Sequence, residues 1–162
     1  MTHHQASTSP RTSFTIAALP EAIYAAFIDP AALIEWLPAA PLTGVMHAFD
    51  GRVGGGYRMS LHYPLGEQRF RGKTAEREDR VEVRVVELAP PRRIVAAIRF
   101  DSDDAAFAGE MTMTATFDEA TGGTRVTLFF ENLPPGLRAE DNDAGARLSL
   151  AQLARRFEAA PR

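Results

Sequence analysis

The chain of 162 residues contains no cysteine, which excludes disulfide bonds, a thiolate nucleophile and a cysteine-based zinc site. It also lacks any apolar run close to the roughly 20 residues that span a membrane. Its net charge of −3 argues against a dedicated binder of nucleic acid or of anionic membranes. The first 13 residues are polar and do not resemble a signal peptide. We therefore expect a cytoplasmic protein that has no nucleic-acid partner and does not insert into membranes.

Patterns typical of catalytic or metal-binding sites are equally scarce. The acidic residues Asp101, Asp103 and Asp104 lack the glycine and the distal glutamate of a calcium loop. No spacing of a nucleophile and a base indicates a hydrolytic site, although a triad carried by separate strands leaves no sequence pattern. The sequence therefore predicts no catalytic residue, no metal site and no cofactor.

The composition is that of an ordinary globular protein, with 45% hydrophobic and 24% charged residues. The length fits one domain with a core of its own. Residues 1–12 are rich in threonine, serine, histidine and glutamine, so we expect a disordered tail there. Residues 13–160 are predicted to form a single domain, because no repeat or linker divides them.

The most regular pattern lies near the end of the chain, where the sequence predicts a helix over Asn142–Ala160. At about 100° per residue, one side of this helix carries an apolar stripe of Ala146, Leu150, Leu153, Ala154 and Phe157. The polar residues assigned to the opposite face are Arg147, Ser149, Gln152, Arg155 and Arg156. A helix with a single apolar stripe is not stable alone, so we expect it to pack against a sheet.

Alternation of apolar and polar residues predicts that sheet. The predicted strands are Ser13–Ala18, Val45–Phe49, Tyr57–Tyr63, Gln68–Gly72, Val81–Leu88, Arg93–Phe100, Phe107–Phe117 and Arg125–Glu131. Two short helices are predicted after the first strand, over Glu21–Ile28 and from Asp29 to Pro38, with Asp29 as a cap. The fold class is therefore α+β, a curved antiparallel sheet of about six to seven strands wrapped around the C-terminal helix.

Three local features interrupt this pattern. Gly54, Gly55 and Gly56 precede a strand, whereas phosphate-binding loops precede a helix, so we predict a bulge or a sharp bend. Lys73–Arg80 is almost wholly charged or small and is predicted to be the most mobile loop. Phe129 breaks the alternation of the last strand and is predicted either to pack beneath the short helices or to lie in a partner interface.

Several strings of residues, taken in order, resemble the START/SRPBCC superfamily, whose helix-grip fold is shared with birch-pollen allergens. Within it they resemble the bacterial group named for the activator of the heat-shock-protein-90 ATPase. The strings are Asp29-Pro30 followed by Trp36, Val53–Met59, Glu87–Val95, Gly122–Thr127, and Gly145 with Ser149–Leu153. Two departures are Ala146, where the family often has tryptophan, and the long charged segment Lys73–Arg80. The resemblance implies a helix-grip fold, in which a gap between sheet and helix binds small molecules.

We interpret the chain as a binding module for a small, largely apolar ligand, acting as a monomer or a homodimer. The predicted lining residues are Trp36, Tyr57, Met59, Leu61, Tyr63, Ile98, Phe100, Met111, Met113, Phe130 and Leu150. Each of them also fits an ordinary core position. Inward-facing tyrosines and methionines on adjacent strands favour a cavity, because buried hydroxyls need partners and methionine tolerates irregular space.

Two alternatives stay open. The first is an enzyme of the polyketide cyclase or aromatase type, which would need an acid or a base inside the cavity. By alternation His62 and Glu110 face outward, and His47 shares a face with Val45 and Phe49 only if its strand is regular. The second alternative is a protein-interaction module that stimulates a chaperone, with Phe129 and Lys73–Arg80 as contacts; an exposed apolar patch would favour it.

Overall fold

A computed structural model of the chain describes residues 11–64 and 78–158. The strands are β1 (Thr12–Ile16), β2 (Thr43–Asp50), β3 (Gly56–His62), β4 (Glu78–Ala89), β5 (Arg93–Phe100), β6 (Glu110–Ala120) and β7 (Gly123–Glu131). The helices are α1 (Pro20–Phe27), α2 (Pro30–Trp36) and α3 (Ala139–Glu158), with a short 3-10 turn at Ala105–Phe107. Residues 1–10 of the predicted tail, the predicted strand Gln68–Gly72 and residues 73–77 of the predicted loop lie outside the described residues.

The described strands form one antiparallel sheet in the order β1-β7-β6-β5-β4-β3-β2. β1 joins the far end of the sheet by pairing with β7, where Phe14 lies opposite Val126. All the other neighbours in the sheet are consecutive in the chain. This arrangement, with two short helices after β1 and a long C-terminal helix, confirms the predicted α+β helix-grip fold. Within the two described ranges, no helix combines the length and apolar character needed to cross a bilayer.

The apolar stripe of α3 faces the core, as predicted. Leu150 and Leu153 have no exposed surface, and Ala146 and Ala154 are buried beside them. The helix begins at Ala139, earlier than the predicted Asn142. Its first turn carries acidic side chains, which the positive end of the helix macrodipole stabilises.

The predicted outward position of Ser149 and Gln152 is wrong. Ser149 is only 6% exposed, and its Oγ donates a hydrogen bond to the carbonyl oxygen of Leu37 at 2.6 Å. Gln152 Nε2 donates to the carbonyl oxygens of Trp36 at 2.7 Å and Pro38 at 2.8 Å. These carbonyls lie where α2 ends, and the last carbonyls of a helix have no partner within it. Both polar side chains therefore join α3 to the end of α2.

The short helices begin where their prolines and caps predict. Asp29 caps α2, because its Oδ1 accepts a hydrogen bond from the backbone N–H of Ala31 at 3.0 Å. Trp36 ends the helix and is 2% exposed. Its Nε1 donates to the carbonyl oxygen of Ala26 at 2.8 Å, and its ring lies 4.7 Å from that of Phe27. The two helices therefore pack against each other through the buried side chains of Phe27 and Trp36.

The three consecutive glycines allow a close approach of two backbones, which agrees with the prediction of an irregularity in the sheet and not of a phosphate loop. Gly56 has φ +153°, and a Cβ built on it would lie 1.7 Å from the carbonyl oxygen of Val83. Before the start of β3, the N–H of Gly54 donates to the carbonyl oxygen of Val85, and the N–H of Val85 donates to the carbonyl oxygen of Gly55. The glycines thus extend the pairing of β3 with β4.

We expect Gly56→Ala to lower the free energy of unfolding by at least about 2 kcal/mol, because the added methyl group meets backbone and the φ angle is unfavourable for alanine. Gly145→Ala is the matched control, since a Cβ there meets no atom within 4 Å. Inside a helix that change should stabilise by about 0.5–1 kcal/mol. Urea denaturation of both variants measures the difference, and a neutral Gly56→Ala would contradict the close approach.

The predicted loop Lys73–Arg80 is wrong for its last residues, because β4 already begins at Glu78. Asp79 is 1% exposed and lies opposite Leu61 of β3. The density of charge predicted a solvated loop. Pairing with a neighbouring strand satisfies the backbone whatever the side chains are, so the strand extends into the charged segment.

Phe129 lies on the outer face of the sheet, since Leu128 and Phe130 on either side of it are buried inward. It is half-buried, and the guanidinium carbon of Arg11 lies 4.3 Å from the centre of its ring. The predicted position beneath the short helices is therefore wrong. Its role in a partner interface stays a prediction.

Candidate ligand-binding cavity

A cavity of about 270 Å³ lies between the inner face of the sheet and the helices α2 and α3. The strand register shows which side chains form its wall, because residues directly opposite each other on neighbouring strands share a face of the sheet. Val83 lies opposite Tyr57 on β3 and Ile98 on β5, and Ile98 lies opposite Met111 on β6. One row of inward side chains thus crosses four strands and forms part of the cavity wall.

The structure places most of the predicted site residues along this wall. They are Trp36, Tyr57, Met59, Leu61, Ile98, Phe100, Met111, Met113 and Phe130. Two of the predicted residues are absent from it. Leu150 is fully buried and belongs to the packed core beneath the stripe of α3. Tyr63 follows the end of β3 and reaches the wall through its hydrogen bond to Asp79.

The wall is apolar with few polar groups, and the most deeply buried of these is the carboxylate of Asp79. The hydroxyl of Tyr63 donates a hydrogen bond to Asp79 Oδ2 at 2.9 Å. Burial raises the pKa of Tyr63, and the adjacent Asp79 raises it further. Tyr63 is thus held as a neutral donor to a carboxylate beside the cavity.

Tyr57 supplies a second polar group to the wall. Its ring stacks on that of Phe49, with 6.0 Å between the centroids and 21° between the planes. Burial raises the pKa of Tyr57, and no hydrogen bond contributes to that shift. Among the residues that the structure describes, none makes a hydrogen bond with its hydroxyl.

The helix α3 contributes polar side chains to the opposite side of the cavity. Asp141, Asn142 and Ser149 lie there together with the small residues Gly145 and Ala146. Ala146, at the position where the resemblance implies tryptophan, is buried. A tryptophan in place of Ala146 would project a much larger side chain from α3, so the small residue leaves room between helix and sheet.

The charged and histidine residues considered as catalytic candidates lie elsewhere. β2 is irregular between Met46 and Ala48, and His47 Nε2 lies 2.7 Å from Ser60 Oγ. Ser60 Oγ in turn donates to Glu78 Oε2 at 2.7 Å. Ser60 has no exposed surface, so its hydroxyl is not accessible as a nucleophile.

His62 and Glu110 are also outside the cavity wall. Glu110 is exposed and accepts a hydrogen bond from Arg84 at 3.2 Å. No histidine of the described ranges lines the cavity. Over the same ranges, no three histidine, aspartate or glutamate side chains are grouped closely enough to hold a metal ion.

Sequence reasoning missed Asp79, which it placed in a mobile loop. The sequence did indicate this position, because Asp79 lies two residues before Val81. In a strand it therefore shares a face with Val81, Val83 and Val85. All of these residues line the cavity. Phe49 was assigned to a strand but not to the site, although its position in a period-two pattern also carried that information.

A family model described as "Activator of Hsp90 ATPase homolog 1-like protein" matches residues 17–158. Among solved structures, a protein from Chromobacterium violaceum is 31% identical with a TM-score of 0.80, and the match covers 94% of this chain and 99% of that one. A protein from Rhizobium loti is 24% identical with a TM-score of 0.70, again covering 94% and 99%.

A protein from Rhodobacter sphaeroides is 22% identical with a TM-score of 0.73, and the match covers 94% of this chain and 97% of that one. At these lower identities the likeness shows the fold alone. A search among curated proteins finds no match. The match of the family model over nearly the whole described chain agrees with the architecture. The chain therefore belongs to the Activator of Hsp90 ATPase homolog 1-like family, which is of the START/SRPBCC type.

Proposed function

We propose that the protein binds a small, largely apolar ligand in the cavity between the sheet and α3. The observation that carries this proposal is the size of the cavity, about 270 Å³. Protein interiors are packed as densely as organic crystals and contain few voids larger than a water molecule. A water molecule has a share of about 30 Å³ in the liquid, so this space greatly exceeds an ordinary packing defect.

The chemistry of the wall indicates the class of ligand. Aliphatic, aromatic and thioether side chains make up most of it, including Met59, Met111 and Met113. Transfer of apolar surface from water to such a wall stabilises a complex by about 25 cal/mol per Å². The few polar groups, Tyr57 and Asp79 among them, orient a ligand more than they contribute to its affinity.

A fluorescence titration tests this function. N-phenyl-naphthylamine is neutral, apolar and bright only in apolar surroundings. We expect saturable binding of one molecule per chain, with native mass spectrometry confirming the stoichiometry. Absence of saturable binding by this and other neutral apolar probes would contradict the proposal. Native mass spectrometry of gently purified protein also tests for a ligand that copurifies.

We include in this proposal a cytoplasmic location and action as a monomer or a homodimer. Size-exclusion chromatography with light scattering separates the two oligomeric states. The exposed large apolar side chains of the described residues include Leu19, Val53 and Leu148, and they are surface available to the chaperone-stimulating interaction module.

An enzyme acting on the bound ligand is the second candidate function, and the buried Asp79 favours it. A carboxylate beside a bound substrate can accept a proton from a carbon next to a carbonyl group, as a cyclase of the polyketide type requires. Asp79→Asn keeps the size of the side chain and removes this basicity. If a cyclised product of a poly-β-ketone forms with the protein and not with Asp79→Asn, the enzyme is supported; equal product in both excludes this role for Asp79.

A further inference from the structure

Tyr57 is held in a defined position on the cavity wall. Its ring stacks on Phe49, and it lies opposite Val83 on β4. Gly56, the preceding residue, places the backbone of β3 directly against the carbonyl of Val83. Both the ring and the backbone that carries it are therefore fixed by contacts with neighbouring strands. A polar group held in this way can orient a ligand at little entropic cost.

The Tyr57 hydroxyl differs from the other two tyrosine hydroxyls of the described chain. Tyr63 donates its hydrogen to Asp79. The Tyr24 hydroxyl is buried without a partner, but Tyr24 packs against Phe117 and does not line the cavity. Tyr57 lines the cavity and finds no hydrogen-bond partner among the described residues. Of the three tyrosines, only Tyr57 combines these two properties.

A hydrogen-bond acceptor on the ligand suits the Tyr57 hydroxyl better than a second donor does. A tyrosine hydroxyl is protonated at neutral pH at its ordinary pKa, and burial raises the pKa of Tyr57 further. The neighbouring cavity residues Phe49, Val83 and Ile98 are apolar. An alcohol on the ligand would add a hydroxyl hydrogen, and these apolar side chains offer no acceptor for it. A carbonyl oxygen needs only a donor, which the Tyr57 hydroxyl provides.

Charge on the ligand is restricted by the cavity wall. No lysine, arginine or histidine of the described ranges lines the cavity. A negatively charged ligand would therefore lose its hydration without gaining a positive partner, which is costly. An uncharged ligand avoids this cost.

We propose that Tyr57 donates a hydrogen bond to the ligand, and that the ligand is a neutral carbonyl compound with a largely apolar body. The inference rests on the proposed function and names the class of ligand. The volume bounds its size: an engineered apolar cavity of about 150 Å³ accepts benzene, so a pair of fused rings that carries one substituent fits in about 270 Å³.

Three naphthalene derivatives of similar shape test this inference by isothermal titration calorimetry. Methyl naphthyl ketone has the carbonyl group, isopropenylnaphthalene replaces its oxygen by a methylene group, and naphthoate carries a negative charge. We expect the ketone to bind about tenfold more tightly than the alkene, which is the effect of one hydrogen bond to a buried donor. Naphthoate should bind more weakly than both.

Two conservative variants assign the effect. Tyr57→Phe removes only the hydroxyl and should abolish the preference for the ketone while the alkene binds as before. Tyr24→Phe makes the same change outside the cavity and should keep the preference. Equal binding of ketone and alkene to the unmodified protein, or a preference that survives Tyr57→Phe, would overturn this inference alone. If none of the probes binds, both this inference and the proposed function are contradicted.

Discussion

Leu153→Ala is expected to lower the free energy of unfolding by about 2–5 kcal/mol, the cost of removing a buried leucine from a packed core. Leu153 lies at the centre of the stripe of α3 and has no exposed surface. The loss should also lower the melting temperature, by about 2–4 °C for each kcal/mol in a domain of this size. Urea denaturation followed by fluorescence measures it, because the single tryptophan, Trp36, is buried.

Leu148→Ala is the matched control for this prediction. It makes the same substitution on the same helix, where the leucine is 50% exposed, and should change stability by no more than about 0.5 kcal/mol. Arg155→Ala, also on the exposed face, should behave in the same way. Equal losses for Leu153→Ala and Leu148→Ala would mean that α3 does not hold the sheet through this stripe.

Met113→Trp is expected to abolish binding of N-phenyl-naphthylamine and to leave the free energy of unfolding nearly unchanged. Met113 is half-buried on the cavity wall, opposite Phe130 and Ala96. In a filled core the larger ring would cost about 1–3 kcal/mol through overpacking. Within the cavity the ring occupies space that a ligand otherwise uses. Fluorescence titration and urea denaturation of the same variant separate these two situations.

Met46→Trp is the control for the change in side chain. Met46 is also a half-buried methionine packed against the core, but it does not line the cavity. This variant should keep the affinity for the probe, whatever its effect on stability. A Met113→Trp protein that still binds the probe, or one that is strongly destabilised, would show that the ring does not enter a ligand space. The proposed ligand-binding function would then lose its main support.

The two predictions address different parts of the same architecture. Leu153 tests whether sheet and helix are joined through a packed core, and Met113 tests whether the adjoining region is a functional space. Leu150, which the sequence assigned to the cavity, is fully buried and is absent from the wall. Leu150 therefore belongs with Leu153 in the packed core, which shows how closely core and cavity adjoin on this helix.

Local patterns were sufficient for the fold and for most of the cavity wall. Alternation along β3 identifies Tyr57, Met59 and Leu61 as inward-facing residues, because a strand places successive side chains on opposite faces. The helical stripe identifies Leu150 and Leu153 as buried for the corresponding reason. These features repeat with the period of the element and depend only on neighbours in the chain.

Tertiary contacts decided what these periods do not encode. Asp79 belongs to a strand because β3 pairs with it, although its charged neighbours favour a loop. Ser149 and Gln152 turn inward because carbonyls at the end of α2 need donors. The cavity itself depends on the distance at which the helices rest above the sheet, which the summed packing of distant side chains sets. The sequence alone therefore determined which faces are apolar, and only the tertiary structure decided where those faces meet and where a space remains between them.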